Sequence, residues 1–256
     1  MLITPKRDNL NKIAILNPKG GCGKSTLAIN LAACYARRGS APAIMDCDPQ
    51  GSAMAWLDRR AGDMPSIHAI AAYKKTMQAT RSWQLRVPAG TDNLIVDSPA
   101  GIGHDDLREL CRDATCILVP VLPSPLDIHA ALRCIADLLL VAKVDRRDRK
   151  LAVVANRTRK NTRSFKRLMR FLDSLGIPII AVLRDTQNFV NAAEKGIGVH
   201  EMQPSRVRPD VEQIEKIVTW LDGWQERRRD NLEITGMTRQ PLRHMSVLHK
   251  PQFGSA

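Results

Sequence analysis

Apolar residues are distributed along the chain in short continuous runs that are separated by longer segments of mixed character. A strand that is covered on both faces reads as such an uninterrupted run, so each run predicts a buried strand. The predicted strands are residues 12–17, 41–45, 93–96, 115–121, 151–155 and 177–183, with a short edge strand at 66–71. Helical segments follow most of these runs, and this alternation predicts one large α/β domain.

Apolar residues at spacings of three and four predict the helices. The predicted helices are residues 24–38, 52–60, 73–85 and 162–175, followed by a final helix that has Pro209 in its first turn and ends in the arginines at 227–229. A further helix follows the prolines at 123 and 125. Its predicted buried face consists of Leu126, Ala130, Cys134 and Leu138.

The predicted elements end near residue 225. The chain has 256 residues, which is long enough to bury a full core, and residues 1–225 are assigned to one domain. Residues 226–256 form a basic tail with prolines and no clear period, so we expect much of it to be disordered. No apolar run reaches 18 residues and the first residues lack the apolar segment of a signal peptide, so we expect a cytoplasmic protein.

The six cysteines do not form any C-x-x-C pair, and several of them fall within apolar runs. This pattern favours reduced, mostly buried thiols over disulfides or zinc ligands. An iron–sulfur cluster whose ligands come from two subunits stays open as an alternative.

The stretch P-K-G-G-C-G-K-S-T, residues 18–26, lies between the first predicted strand and the first predicted helix. Its glycines allow the backbone to turn N–H groups towards an anion, and the helix presents the positive end of its dipole. In the usual phosphate-binding pattern Lys24 contacts the outer phosphates and Ser25 binds Mg²⁺. Here Pro18 replaces the first glycine and Lys19 adds a second lysine. The alternative is a glycine-rich turn that binds nothing. The residues assigned to nucleotide binding are Gly20, Gly21, Cys22, Gly23, Lys24, Ser25 and Thr26.

The pattern K-G-G-x-G-K-S-T resembles the deviant Walker A box of the ParA/MinD family of P-loop ATPases. The resemblance covers about residues 12–224. It implies a single-domain α/β fold with a doubly wound, mostly parallel sheet flanked by helices. It also implies that the protein binds ATP and Mg²⁺ and that it forms a homodimer when ATP is bound. In that family the early lysine, here Lys19, crosses the dimer interface to the phosphates of the other subunit, so Lys19 and Lys24 are assigned to catalysis.

Carboxylates follow two of the predicted strands, at the edge where open α/β sheets bind ligands. The segment D-C-D-P-Q-G, residues 46–51, resembles the switch segment of the family. Asp48 is assigned to positioning the attacking water and Asp46 to the ligand shell of the metal, although which aspartate has which role stays open. The alternative for the whole segment is a solvated turn without a catalytic role. Asp97 closes an apolar strand, which is the Walker B arrangement for a Mg²⁺-bound water. A simple strand cap is the alternative for Asp97.

Three polar residues are candidates for the nucleoside pocket. Asn156 stands at the end of a predicted strand, where its amide can both donate to and accept from an adenine edge. An asparagine that only closes the strand is the alternative. The segment at 184–200 resembles the family's loop and helix beside the nucleoside, which implies that Asp185 and Thr186 line the base pocket.

Positive charge is concentrated in one part of the chain. The formal net charge is +13, and residues 143–170 contain twelve lysines and arginines against two aspartates. Such a surplus indicates a polyanionic partner such as DNA, RNA or an anionic membrane, although a basic helix face can also be merely solvated. The candidate DNA contacts are Arg157, Arg159, Lys160, Arg163, Lys166, Arg167, Arg170, Arg227, Arg228 and Arg229.

The segment L-P-S-P-L-D, residues 122–127, resembles the small partition-type members of the family. The resemblance implies an ATPase that binds double-stranded DNA non-specifically as a dimer, is nucleoid-associated, and is released when a cargo-bound adaptor of the ParB or McdB kind stimulates slow hydrolysis. The cargo is a plasmid, a chromosome origin, a carboxysome or another complex. The alternatives are a MinD-like ATPase on a membrane surface and a metabolic ligase or reductase of related fold. The tail carries Pro241 and Pro251 and no sustained apolar stripe, so we expect no stable membrane association.

Overall fold

The computed structural model describes residues 10–74 and 86–237, with side chains through residue 226. Its strands are β1 Asn11–Ile15, β2 Pro42–Asp46, β3 His68–Ala71, β4 Asn93–Asp97, β5 Cys116–Val121, β6 Leu151–Thr158 and β7 Ile179–Arg184. Its helices are α1 Lys24–Arg37, α2 Ser52–Asp58, α3 His104–Arg112, α4 Pro125–Leu140, α5 Arg163–Ser174, α6 Asn188–Glu194 and α7 Pro204–Met237. Short 3₁₀ helices span Arg146–Asp148 and Val199–Glu201.

The strands form one sheet in the order β3-β2-β4-β1-β5-β6-β7, and every neighbouring pair is parallel. After β1 the chain adds β2, β3 and β4 on one side of β1, and it then adds β5, β6 and β7 on the other side. The predicted doubly wound parallel sheet is therefore confirmed. The order in which the chain adds strands reverses at β1, so the carboxyl ends of β1, β2 and β4 meet at the crevice where such folds bind ligands.

Helices cover both faces of the sheet, which explains why its central strands are continuously apolar. Side chains alternate along β1, where Ile13 and Ile15 pack towards α1 and α7 while Ala14 packs towards the other layer. That other layer contains α3, α4 and α5. The buried strand residues are fully enclosed, and this supplies the main apolar stabilisation of the fold.

Helix α3 was not predicted from the sequence. Its residues H-D-D-L-R-E-L-C-R are mostly charged, and only Leu107, Leu110 and Cys111 are buried. Three apolar residues in nine give too short a periodic signal for a prediction. The helix is stabilised by tertiary packing of this narrow apolar stripe rather than by its own sequence pattern.

The predicted buried face of α4 was partly wrong. Leu126 is 75% exposed, whereas Asp127, Ala131 and Cys134 are buried. A strict spacing of four residues drifts around a helix of 3.6 residues per turn. The observed face follows the helical period instead and brings Asp127 inside.

Helix α7 differs from the prediction at both ends. It begins at Pro204, so Pro209 lies within the helix rather than in its first turn, and it continues to Met237 beyond the predicted end. Pro209 has no N–H to donate to the Ser205 carbonyl, so the helix lacks one intrahelical hydrogen bond in its second turn. Residues 238–256 of the predicted tail, and most of the helix predicted at 73–85, lie outside the described residues. Among the described helices, none is long and apolar enough to cross a membrane.

Candidate functional site

The loop between β1 and α1 is held by side chains beneath it. The Asn17 Nδ2 group donates to the Pro120 carbonyl at 2.8 Å, and its Oδ1 accepts from the Lys19 amide at 2.9 Å. The Lys24 ammonium donates to the Lys19 carbonyl at 3.2 Å. Gly21 and Gly23 have φ angles of 75° and 98°, which side chains with a Cβ rarely adopt. The loop is therefore shaped for an anion before one binds.

Asn156 braces this loop from the end of β6. Its Nδ2 donates to the Cys22 carbonyl at 2.8 Å, and its Oδ1 accepts from the Arg157 amide at 2.9 Å. A Cβ at Gly23 would lie 2.1 Å from the same Nδ2 atom. Both halves of the amide are thus occupied within the protein, and the predicted contact with adenine stays a prediction. The backbone of Gly23 approaches Asn156 so closely that only glycine fits.

Asp46 anchors the segment that follows β2. Its carboxylate accepts hydrogen bonds from the backbone amides of Asp48, Ala53 and Met54 at 3.0–3.2 Å. Two of these donors belong to α2, so Asp46 fixes the start of that helix. Burial raises the pKa of Asp46, although these hydrogen bonds oppose the rise. The metal role assigned to Asp46 stays a prediction, because its oxygens already serve the backbone.

Asp97 lies directly beside Asp46 in the parallel register of β2 and β4. Neither of its oxygens accepts a hydrogen bond of normal geometry from the described residues, although the Ser25 hydroxyl lies near enough to lower its pKa. Burial has the larger effect and raises the pKa of Asp97 to about 7. A buried carboxylate without donors is costly unless a cation compensates it. Ser25 and Asp97 therefore fit the oxygen ligands that Mg²⁺ requires.

Asp48 lies on the turn between Asp46 and α2. Its Oδ1 accepts from the Gln50 amide at 3.0 Å, and its side chain is only partly buried. The Gly101 amide donates to the Pro18 carbonyl at 2.9 Å, which links the segment after β4 to the phosphate loop.

Lys19 makes an ion pair that the sequence analysis did not foresee. Its ammonium lies 2.7 Å from Oδ2 of Asp127, and only 5% of the Asp127 side chain is exposed. Asp127 belongs to the first turn of α4, where it also contacts the N-cap residue Ser124. The acid in L-P-S-P-L-D, directly after β5, was the available signal, since the carboxyl end of β5 lies beside the phosphate loop.

The predicted nucleoside residues lie at the same edge of the sheet. Asp185 follows β7 and pairs with Arg159 at 2.7 Å, while the Thr186 hydroxyl accepts from the Asn188 amide at 3.3 Å. Arg184 binds the buried Asp210 of α7. The structure thus places Asp185 and Thr186 after the edge strand β7, three strands from β1, and their contact with the base stays a prediction. It engages one predicted DNA contact, Arg159, in an ion pair.

The remaining basic residues form two separate groups. Those on and before α5 are exposed, and no acid pairs with them within the described residues. They are Arg157, Lys160, Arg163, Lys166, Arg167 and Arg170. Arg227, Arg228 and Arg229 lie on α7, which packs on the opposite face of the sheet from α5, and their side chains lie outside the description. We name the α5 group the basic face.

The chain is similar in sequence to known nucleotide-binding proteins. A sequence profile for the CobQ/CobB/MinD/ParA nucleotide binding domain matches residues 13–199. The chain is 28% identical over 207 residues to the Maintenance of carboxysome distribution protein A of Halothiobacillus neapolitanus, covering 80% of this chain and 94% of the relative. The protein of the same name from Gloeobacter kilaueensis is 27% identical over 220 residues, covering 82% and 93%.

Solved structures show the same fold. Apo McdA from Cyanothece superposes with a TM-score of 0.63 at 15% identity, over 85% of this chain and 98% of that one. A plasmid partition protein from Borrelia burgdorferi bound to AMPPNP also reaches 0.63, at 12% identity, over 82% and 99%. At these identities the likeness establishes the arrangement of strands and helices, and that arrangement includes the crevice described above.

Proposed function

Because the chain belongs to the CobQ/CobB/MinD/ParA nucleotide-binding family, we propose that it is an ATPase that dimerises on ATP, binds DNA non-specifically and positions a cargo. The observation that carries the proposal is the phosphate loop with two lysines beside Asp97, a buried carboxylate that accepts no hydrogen bond of normal geometry from the described residues. The names of the relatives favour a carboxysome as the cargo. An adaptor protein then stimulates hydrolysis, and the cycle takes place on the nucleoid.

In this proposal each residue has one task at the nucleotide. The amides of residues 20–26 and the Lys24 ammonium bind the phosphates. Ser25 and Asp97 hold Mg²⁺, which neutralises phosphate charge when it is bound. Asp48 orients the attacking water from its turn beside the crevice. Lys19 leaves Asp127 and reaches the phosphates of the second protomer.

The basic face connects nucleotide binding to DNA. Dimerisation unites two copies of the face, and each phosphate contact releases counterions, so doubling the contacts raises the affinity steeply. Hydrolysis separates the protomers and lowers the affinity again. ATP hydrolysis therefore times the release of DNA.

Gel filtration and DNA binding of an Asp48→Ala variant test this proposal. With ATP and Mg²⁺ the variant is expected to accumulate as a dimer that binds DNA, because hydrolysis is blocked.

Lys19→Ala is the matched comparison: it is expected to retain the fold and most ATP binding but to lose control of dimerisation and DNA release. An Asp48→Ala protein that stays monomeric at saturating ATP would contradict the proposal. Co-sedimentation with liposomes instead of DNA would support a membrane-surface ATPase.

A further inference from the structure

Three potential metal ligands meet on the face of the sheet that carries α1 and α7. They are Cys34 of α1, His200 of the second 3₁₀ helix and Glu215 of α7, and one ligand atom of each lies within 4.8 Å of the others. Glu215 Oε1 is 3.0 Å from His200 Nε2 and 3.6 Å from Cys34 Sγ. We propose that these three side chains form a binding site for one Zn²⁺ ion, separate from the nucleotide crevice.

The ligand set and its spacing both suit zinc. Sulfur, imidazole nitrogen and carboxylate oxygen are the usual Zn²⁺ ligands, at about 2.3 Å for sulfur and about 2.0–2.2 Å for nitrogen and oxygen. In a tetrahedral site those bond lengths separate two ligand atoms by roughly 3.4–3.6 Å. The distances of 3.0 and 3.6 Å between Glu215 and its two neighbours lie near this separation. The ligand atoms of Cys34 and His200 lie within 4.8 Å of each other, so they approach by up to about 1.2 Å on binding. A water molecule completes the fourth position.

Without a metal, the thiol of Cys34 and the imidazole of His200 both contact the same oxygen of Glu215. Imidazole binds a metal in its neutral form, through the lone pair of one ring nitrogen. On binding, the Cys34 thiol releases its proton to solvent and the sulfur becomes a thiolate ligand. The His200 proton moves from Nε2 to Nδ1, so Nε2 presents its lone pair to the ion.

Neighbouring charges hold Glu215 in place. Arg38 pairs with the other carboxylate oxygen of Glu215 and lies 3.1 Å from Asp222, which also accepts a hydrogen bond from the Tyr35 hydroxyl at 3.0 Å. Oε1 of Glu215 is thereby directed towards Cys34 and His200. Glu215 is 35% exposed at its side chain, whereas His200 is 6% exposed, so the ion enters past Glu215.

The affinity follows from the surroundings of His200. Its Nδ1 atom is buried and has no hydrogen-bond partner among the described residues. A partner for the second ring nitrogen commonly contributes about 10–100-fold to metal affinity. The proximity of Arg38 further disfavours a cation. We therefore expect Zn²⁺ to bind about 10–100-fold more weakly than in a site whose second imidazole nitrogen has a partner.

Zinc at this site would fasten distant segments of the chain together. Helix α1 begins with Lys24 and Ser25 of the nucleotide site, and α7 leads to the basic residues at 227–229. The three ligands come from residues 34, 200 and 215. Sequence spacing carries no signal for such a site, which explains why the cysteine pattern argued against zinc.

Metal titration of the full-length, chelator-treated protein tests the inference, with Mg²⁺ in excess to occupy the nucleotide site. We expect one Zn²⁺ per chain, a raised thermal midpoint, and a thiolate-to-metal absorption band when Co²⁺ replaces Zn²⁺. Cys34→Ser is expected to abolish the band, and His200→Gln to weaken Zn²⁺ binding at least tenfold. Cys111→Ser is the matched control, because Cys111 is also buried but lies in the other core layer, and it should behave as wild type.

Two results would overturn the site. One is the absence of a thiolate band in the wild-type protein with Co²⁺. The other is wild-type Zn²⁺ affinity in both Cys34→Ser and Glu215→Gln. Circular dichroism and ATP binding establish that each variant is folded, and if Cys34→Ser does not fold, the titration of Glu215→Gln decides alone, since that side chain is partly exposed.

Discussion

At the scale of single residues, the crevice contains charges that are arranged for ligands not present in the free protein. Asp97 is buried and accepts no hydrogen bond of normal geometry from the described residues, and Lys19 forms an ion pair with Asp127. The first arrangement costs stability until a cation binds. The second holds the distinctive lysine within its own protomer. Each makes a prediction that a conservative substitution can check.

Asp97→Asn is expected to stabilise the ligand-free protein. The folded pKa of about 7 lies above the ordinary value of 3.8, so protonation favours the folded state. The stabilisation is full below 3.8 and is lost as the pH rises through 7. We expect urea unfolding near pH 8 to show the asparagine variant more stable by on the order of 2 kcal/mol, with little difference near pH 4. The same variant should lose most Mg²⁺-dependent ATP binding. Equal stability of the two proteins near pH 8 would refute this.

Asp127→Asn is expected to free Lys19 and favour ATP-dependent dimerisation. Lys19 is partly exposed, at 35% of its side chain, so the ion pair contributes about 1 kcal/mol or less and its loss changes dimerisation by up to roughly fivefold per protomer. Analytical ultracentrifugation with ATP measures the change. Asp137→Asn, a half-exposed acid on the same helix, is the control. Weaker dimerisation of Asp127→Asn would show that Asp127 acts within the dimer instead.

At the scale of elements, α5 is the helix whose two faces have different tasks. Leu168 and Leu172 are buried against the sheet, while the basic face is exposed and unpaired within the described residues. Thr162 caps the helix by accepting from the Phe165 amide. The apolar face therefore maintains the fold without the charges, so the charges can be removed without unfolding the domain.

Replacing the four basic residues of α5 by glutamine is expected to weaken DNA binding at least tenfold. They are Arg163, Lys166, Arg167 and Arg170. The slope of log affinity against log salt should fall by about 0.9 for each phosphate that the variant no longer neutralises. Fluorescence anisotropy at several salt concentrations measures both effects.

The control for that experiment removes the same charge elsewhere. It replaces four other exposed basic residues by glutamine: Arg112, Arg133, Lys195 and Arg206. This control should change DNA affinity much less, because its charges lie off the basic face. An equal decrease in affinity for the two variants would mean that net charge alone binds DNA.

At the scale of the whole molecule, the sheet separates three regions. The nucleotide crevice lies at the carboxyl ends of the central strands, the basic face lies on the layer of α3 to α5, and the cysteine–histidine–glutamate cluster lies on the layer of α1 and α7. The described parts of α5 and α7 cover opposite faces of the sheet.

Nucleotide state is therefore expected to change the number of DNA contacts rather than their kind. With ATP, Asp48→Ala should show about twice the salt slope that it shows with ADP, because a dimer presents two basic faces. DNA titrations in both nucleotides measure the slopes. Identical slopes would show that the number of DNA contacts does not depend on dimerisation.

The sequence by itself determined the elements with long patterns and the residues at their ends. Continuous apolar runs predicted the strands, and Lys24, Ser25 and Asp97 were identified because a glycine-rich loop or a strand end places them. These features depend on local spacing, which a single chain displays directly. Short or charged elements such as α3 lacked that signal. In α4 the predicted buried face was wrong by one residue at its start, because Asp127 is buried and Leu126 is exposed.

Only the tertiary structure decided which side chains meet. The order of strands brings Asp127 to Lys19, Asn156 to Cys22, and Cys34 to His200 and Glu215. These pairs are far apart in the chain, and their contacts depend on which helices cover which face of the sheet. The physical reason is that local spacing fixes the form of an element, whereas the burial of its apolar face fixes its neighbours.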